Sequence, residues 1–262
     1  MNPSDARVLV VIPTYDEREN IPIALERLRE HAPTVDVLVV DDGSPDGTGE
    51  LAEKIAADEA AAPDPTRSLA VLHRSGKLGL GTAYVAGFGW ALARDYDVVV
   101  EMDADGSHRA QDLPRLLAAV ADADLVLGSR WVPGGSVVNW PLHRRLLSVG
   151  GNTYTRIVLG IPLRDATGGF RAYRADLLRS LPLAEVASQG YCFQVDMAWR
   201  AVRAGARVVE VPITFVEREI GRSKMSRAIV AEALLNVTGW GMRERSRRLA
   251  GAFGLSRRAA AR

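Results

Sequence analysis

Val98-Val99-Val100-Glu101-Met102-Asp103-Ala104-Asp105 is the stretch that decides the fold of this chain. The valine run describes a buried strand, and two carboxylates one residue apart stand at its exit. Such a pair makes a small, doubly negative cup. It suits a hard divalent cation such as Mg²⁺ or Mn²⁺, which takes oxygen ligands and shares them with substrate phosphates. An isolated Asp-x-Asp is more often a solvated turn. Here a second valine-rich strand, Val37 to Val40, ends in Asp41-Asp42, so two acidic clusters reach one sheet edge. Ligands bind at the strand ends of open α/β sheets, and the coincidence favours a site.

The same rhythm extends in both directions. Strands are expected over Arg7–Ile12, halted by Pro13, then over Val35–Val40, Leu69–His73, Val98–Glu101 and Leu125–Gly128. Helical apolar spacing falls between them, over Asn20–His31, Asp46–Asp58, Gly79–Arg94 and Leu113–Ala121. Strands alternating with helices imply an α/β fold with a mainly parallel sheet covered on both faces. After Ser129 the pattern changes. A Gly-rich, Trp-containing loop, Arg130–Pro141, precedes helices over Leu142–Leu159 and Phe193–Ala204, a strand over Val208–Val211, a polar loop over Glu217–Ser226 and a helix over Ile229–Trp240. One domain over 1–240 with a basic tail over 241–262 is the simplest division; seven arginines and one acid, Glu244, lie between Arg243 and Arg262.

Bulk properties narrow the class. With 262 residues, 47% hydrophobic and 25% charged, the chain is neither disordered nor fibrous. A net charge of +1 argues against a nucleic-acid binder. The lone Cys192 excludes an internal disulfide and fits a reducing compartment. No segment reaches the roughly 18 apolar residues that span a bilayer, and Met1–Arg7 lacks a signal peptide's apolar core. A cytoplasmic location is expected. Lysines are scarce, and Lys77 and Lys224 lie in Gly/Ser-flanked loops where a compact cation reaches a phosphate.

The first strand exits through Pro13-Thr14-Tyr15-Asp16-Glu17, aromatic and acidic residues that could hold a base and ribose. Glu17 and Glu19 equally suit the positive end of the following helix. Asp42 can accept from NH and OH groups of a nucleoside, or can cap the turn Gly43-Ser44-Pro45.

Five motifs then occur in order: Pro13-Thr14-Tyr15-x-Glu17, Val39-Val40-Asp41-Asp42-x-Ser44, Lys77-Leu78-Gly79-Leu80-Gly81-Thr82-Ala83, Asp103-Ala104-Asp105 and Gly221-x-Ser223-Lys224. Over about Arg7 to Trp240 the chain resembles the family 2 glycosyltransferases of GT-A fold, and among them the dolichol-phosphate or polyprenol-phosphate mannose synthases. The resemblance implies transfer of mannose, with inversion, from GDP-mannose to a polyprenyl monophosphate. It places Pro13, Tyr15, Glu17, Val40 and Asp42 around guanine and ribose, and Asp103, Ala104 and Asp105 at the sugar nucleotide and metal. Asp105 is the leading ligand of Mg²⁺ or Mn²⁺, with Asp103 and Ser107 as further ligands. It places Arg130, Arg218 and Lys224 at the phosphates as catalytic cations, and it suggests that Gly106 loosens the loop. Transfer of glucose from UDP-glucose is the nearest alternative. An inactive sugar-nucleotide-binding subunit is a second, against which the intact Asp pair, Arg218 and Lys224 argue.

The residue types suit that chemistry. Cleavage at a nucleotide diphosphate leaves charge on the β-phosphate, which fixed cations stabilise. A lipid monophosphate, with a second pKa of about 6, is already nucleophilic at neutral pH, so the site needs cations more than a base. His108 is expected as an exposed helix-start residue without a catalytic role. A polyprenyl acceptor requires a peripheral visit to the cytoplasmic face of a membrane, and a membrane-protein partner fits the same picture. Trp131–Arg145 and the basic tail combine aromatic or apolar residues with arginines as lipid-interface segments. Gly168-Gly169-Phe170-Arg171 is expected between the sheet and later helices, shaping the acceptor pocket.

Overall fold

The computed structural model describes residues 6–61, 68–186, 191–218 and 233–246. Seven strands form one sheet in the order β3-β2-β1-β4-β7-β5-β8. They are β1 (Val8–Thr14), β2 (Asp36–Asp41), β3 (Leu69–His73), β4 (Val98–Glu101), β5 (Leu125–Ser129), β7 (Arg171–Arg174) and β8 (Val208–Pro212). All pair in parallel except β7, which runs antiparallel between β4 and β5. Helices α1 (Ile21–His31), α2 (Thr48–Ala60), α3 (Leu80–Leu92), α4 (Leu113–Ala119), α5 (Leu142–Leu159), α6 (Ala175–Ser180) and α7 (Tyr191–Arg203) follow the chain order. A last helix, α8, spans 233–246, across the expected boundary at Trp240. A two-stranded ribbon of β6 (Ser136–Val138) and β9 (Thr214–Val216) stands apart from the main sheet.

Successive strands β1, β2 and β3 step outward in one direction, and the chain then crosses to the other side of β1 to form β4. That reversal opens a crevice above the carboxyl ends of β1 and β4, the usual place for a ligand in such sheets. Both strands are valine-rich and fully covered, with Val10, Val11, Val99 and Val100 at zero exposure. Helix α3 lies so close to β1 that a Cβ on Gly87 would stand 2.5 Å from Val11 Cγ1.

Three expectations change. Pro13 does not halt the first strand; it pairs opposite Val40 inside β1. Val11 bonds to Met102 on the β4 side, and backbone groups alternate sides along a strand, so the nitrogen of Pro13 also faces that side. The β1–β4 pairing ends at Val11–Glu101, so the missing N–H breaks no ladder. Arg171 does not lie between the sheet and later helices but inside the sheet. This arginine is completely buried on β7, its guanidinium donating to the carbonyls of Ala166, Gly168 and Gln194. Finally, the supposed loop Arg130–Pro141 carries β6, paired to β9.

Candidate active site

Four exit loops meet above the switch point. Those after β1 and β2 are laced together by short polar side chains. Thr14 and Ser44 donate their hydroxyls to Asp41 Oδ1 at 2.9 and 2.5 Å, and the Ser44 backbone N–H donates to Asp41 Oδ2 at 3.0 Å. The N–H groups of Asp16 and Glu17 reach Ser44 Oγ and Thr48 Oγ1. Asp41, rather than Asp42, is thus the residue that caps the Gly43-Ser44-Pro45 turn.

Asp42 serves the next loop. Its carboxylate takes Arg74 Nη1 at 2.5 Å and the backbone N–H groups of Leu78 and Gly79 at 3.1 and 3.0 Å. The loop so held places the Lys77 ammonium 3.9 Å over the Tyr15 ring. Tyr15, Asp42, Arg74 and Lys77 therefore form one cluster at the β1–β2 edge. Pro13 and Glu17 are half-buried beside it, and Glu17 accepts a 2.6 Å bond from Asn20. The Val40 side chain belongs to the core beneath, so only its backbone faces this region.

The Asp103–Asp105 turn is tight. Gly106 adopts φ +76°, and a Cβ there would approach Arg27 Nη1 to 2.9 Å, so this glycine closes the turn instead of loosening it. The Ser107 N–H donates to Asp105 Oδ1 at 3.0 Å, and Arg218 Nη2 donates to Asp105 Oδ2 at 2.6 Å. Tyr84 donates its hydroxyl to Asp103 Oδ1 at 3.2 Å. Desolvation raises the Asp103 pKa above the usual carboxylate range, and the neighbouring Asp105 charge adds to the rise. Ala104 is buried.

These residues fit a hard cation. Asp103 and Asp105 supply anionic oxygens, Ser107 Oγ is a buried hydroxyl without a hydrogen-bond partner among the described residues, and a guanidinium already rests on Asp105. Among the described residues no cluster of three or more His, Cys, Asp or Glu side chains that could hold a metal ion forms.

His108 is not exposed. It is 3% accessible, and its Nδ1 accepts the backbone N–H of Asp103 at 3.0 Å. Sequence pattern alone did not distinguish this buried histidine from a surface residue.

Arg130 follows β5 at the same sheet end and is 4% exposed. Asp165 holds it by a fork, with Nε and Nη2 donating at 2.8 and 2.6 Å, and also accepts the Arg130 backbone N–H. The guanidinium carbon lies 5.3 to 6.0 Å from the ring centres of Phe215, Trp140 and Trp131. Trp140 meets both Trp131 and Phe215 edge to face, and both tryptophans are partly exposed. The adjacent Arg115 bonds to the Pro212 carbonyl, and Arg144 pairs with Glu217, steadying the segment that leads to Arg218. Asp165, Arg74 and Tyr84 carry no motif signal; only three-dimensional proximity identifies them. Lys224 and the rest of its Gly221-x-Ser223-Lys224 motif lie outside the described residues.

From Arg130 and Thr167 a cavity of about 390 Å³ runs between α5 and α8, walled by Leu146, Leu147, Val195, Leu234 and Val237. The two helices are tied by the Tyr154–Thr238 hydroxyl pair at 2.5 Å. From Leu146 in the cavity wall, an exposed apolar stripe with Leu142, Val149 and Ile157 runs along α5, and Leu235 and Met242 are exposed on α8. Among the described residues no helix is long and apolar enough to cross a membrane.

The model for glycosyl transferase family 2 matches residues 9–181. The undecaprenyl-phosphate mannosyltransferase of Micrococcus luteus is 59% identical over 249 residues, covering 95% of this chain and 100% of that protein. The polyprenol monophosphomannose synthase of Mycolicibacterium smegmatis is 56% identical over 246 residues, covering 94% and 91%. Glucosyl-3-phosphoglycerate synthase from Mycobacterium tuberculosis, in complex with Mn²⁺, uridine-diphosphate-glucose and phosphoglyceric acid, superposes with a TM-score of 0.63 at 23% identity, covering 90% of this chain and 81% of that one. That likeness shows the fold, the mainly parallel α/β arrangement expected of a GT-A enzyme.

Proposed function

Because the chain belongs to glycosyl transferase family 2, we propose that it transfers mannose from GDP-mannose to a polyprenyl monophosphate at a membrane surface, with inversion at the anomeric carbon. The observation that carries this reading is continuity. An apolar cavity lined by Arg130 and Arg144 carries the exposed Leu146, Leu147 and Leu234 in its wall, and Phe215 packs against both Arg130 and His108, the residue beside the Asp103–Asp105 turn. A donor diphosphate and a lipid phosphate can meet at that junction while an isoprenoid chain leaves between α5 and α8. The mannosyl names of the two relatives support mannose over glucose.

In the proposed reaction a phosphate oxygen of the acceptor forms the new bond to the anomeric carbon as the bond to the β-phosphate oxygen breaks. Tyr15 and the Asp42-held loop seat the nucleoside. Arg218 and Lys224 hold the phosphates, opposing the repulsion between two anionic substrates and the charge that grows on the departing diphosphate. Arg130, neutralised by Asp165, shapes the mouth of the cavity and orients the aromatic residues around it. Asp103, Asp105 and Ser107 would hold Mg²⁺ or Mn²⁺, which when bound supplies further positive charge to the diphosphate. No side-chain base is required, because the acceptor is ionised. The exposed stripe of α5 and the basic tail would rest on the lipid interface, where each cation near an anionic surface contributes about 1 kcal/mol.

The test is direct. Purified protein, a polyprenyl phosphate and either labelled GDP-mannose or labelled UDP-glucose should give mannolipid only, and excess chelator should stop it. Glucolipid as the main product would favour the alternative donor, and full activity in chelator would remove the metal from the reading.

A further inference from the structure

His108 stands at the junction of the two halves of the site. Its Nδ1 accepts the Asp103 N–H at 3.0 Å. A backbone N–H can only donate, so Nδ1 carries the lone pair and the ring hydrogen sits on Nε2. The ring stacks on Phe170, with centroids 5.2 Å apart and planes inclined by 13°, and meets the edge of Phe215 at 5.6 Å. Phe215 belongs to β9, and His108 bridges to it through the backbone, while the Val216 N–H donates to the Ser107 carbonyl. Two residues past β9, Arg218 reaches Asp105. One buried imidazole therefore touches the first carboxylate's backbone, the wall behind it and the strand that delivers Arg218.

We infer that His108 is a positioning residue: its Nδ1 lone pair fixes the Asp103 backbone, and its ring sets the spacing between the Asp103–Asp105 turn and the Arg218 segment. The inference rests on the proposed metal-and-donor role of that turn and concerns a residue that is itself buried. A proton-transfer role is not required of it, since its Nδ1 is already occupied by the Asp103 N–H and its ring faces aromatic residues. Removing the acceptor would strand a buried N–H and let the turn drift, which in comparable outer-shell positions lowers metal affinity roughly 10- to 100-fold.

Two variants separate positioning from packing. His108→Phe keeps a ring between Phe170 and Phe215 but has no acceptor. His108→Asn loses the ring, but its Oδ1 can take the place of Nδ1. Mn²⁺ affinity is read by electron paramagnetic resonance, alongside circular dichroism and the pH profile of turnover. Native circular dichroism with Mn²⁺ affinity down roughly 10- to 100-fold is expected for His108→Phe. His108→Asn should recover most of that affinity, with a pH profile shaped like the wild type's. Wild-type affinity in His108→Phe, or a His108→Asn protein no better than His108→Phe, would overturn the inference while leaving the site reading intact. A wild-type protein that binds no Mn²⁺ would overturn both together. A changed pH profile in a His108→Asn protein that still binds Mn²⁺ would replace positioning with proton transfer.

Discussion

If Asp105 holds the proposed divalent cation, Arg218 competes with it for that carboxylate, and the competition can be measured. Arg218 Nη2 lies 2.6 Å from Asp105 Oδ2, in a pair whose side chains are 21% and 8% exposed. Hydrogen bonds to charged groups contribute roughly 1.5–3 kcal/mol net. Partial exposure of the arginine argues for the lower end, about 1.5 kcal/mol, because solvent screens such pairs. A cation that takes Asp105 Oδ2 displaces this contact, so Arg218→Gln, which shortens the side chain and removes its charge, should tighten Mn²⁺ binding about tenfold in the absence of nucleotide. The same variant should lose turnover, because the phosphates then lack a cation. Isothermal titration of Mn²⁺ into nucleotide-free wild type, Arg218→Gln and Asp105→Asn is the assay, the last variant being expected to bind no Mn²⁺. If Arg218→Gln binds Mn²⁺ as weakly as wild type, or more weakly, then Asp105 is not the shared carboxylate and the reasoning fails.

Three further outcomes follow from the geometry. Asp165→Asn should destabilise the protein to urea by about 3–5 kcal/mol, since it leaves Arg130 buried beside an uncharged partner. The Arg130 guanidinium holds Asp165 below its ordinary pKa against the opposing effect of burial, so its contribution is present above the unfolded carboxylate pKa and is lost as pH falls below about 4; the variant should lack that acid-side loss. Glu101, wholly buried on β4, is pushed up to about 7 by desolvation, with Arg171 opposing. An acid whose folded pKa is raised binds more protons in the native state, so wild-type stability should fall as pH rises from about 4.5 to 7, and calorimetry should find that slope flattened in Glu101→Gln. Leu142→Glu combined with Ile157→Glu should reduce co-sedimentation with anionic liposomes roughly tenfold or more, given the transfer energies of two leucine-sized side chains. Turnover on a short-chain, water-soluble polyprenyl phosphate should survive, and unchanged co-sedimentation would remove α5 from the membrane face.

The central architecture was legible because burial writes itself into a chain as apolar runs. Strands Leu69–His73 and Val98–Glu101 and helix Leu142–Leu159 have the same limits in pattern and in space. The acidic pairs at Asp41-Asp42 and Asp103-x-Asp105 were readable because strand ends are punctuated by abrupt changes of polarity. Strand β7 was not, since Arg171-Ala172-Tyr173-Arg174 carries a charged residue at each end and its burial depends on carbonyls from Ala166, Gly168 and Gln194. No local pattern encodes partners that lie on other segments.

For the site the division is similar. Residue types and spacing by themselves determined which carboxylates stand at the sheet edge and which arginines follow strands into polar segments. They did not determine what those side chains do to one another. Asp42 and Asp41 are neighbours in the chain, yet one holds the Lys77 loop and the other caps its own turn. Arg130 and Arg218 look alike as charges; one is locked to a buried Asp165 and the other rests on Asp105. His108 turns from a surface residue into a support only because β9 and Phe170 close over it. Periodicity reports whether a side chain faces water or core, whereas the partner of a buried polar group is chosen by the long-range path of the backbone, and only the folded molecule contains that path.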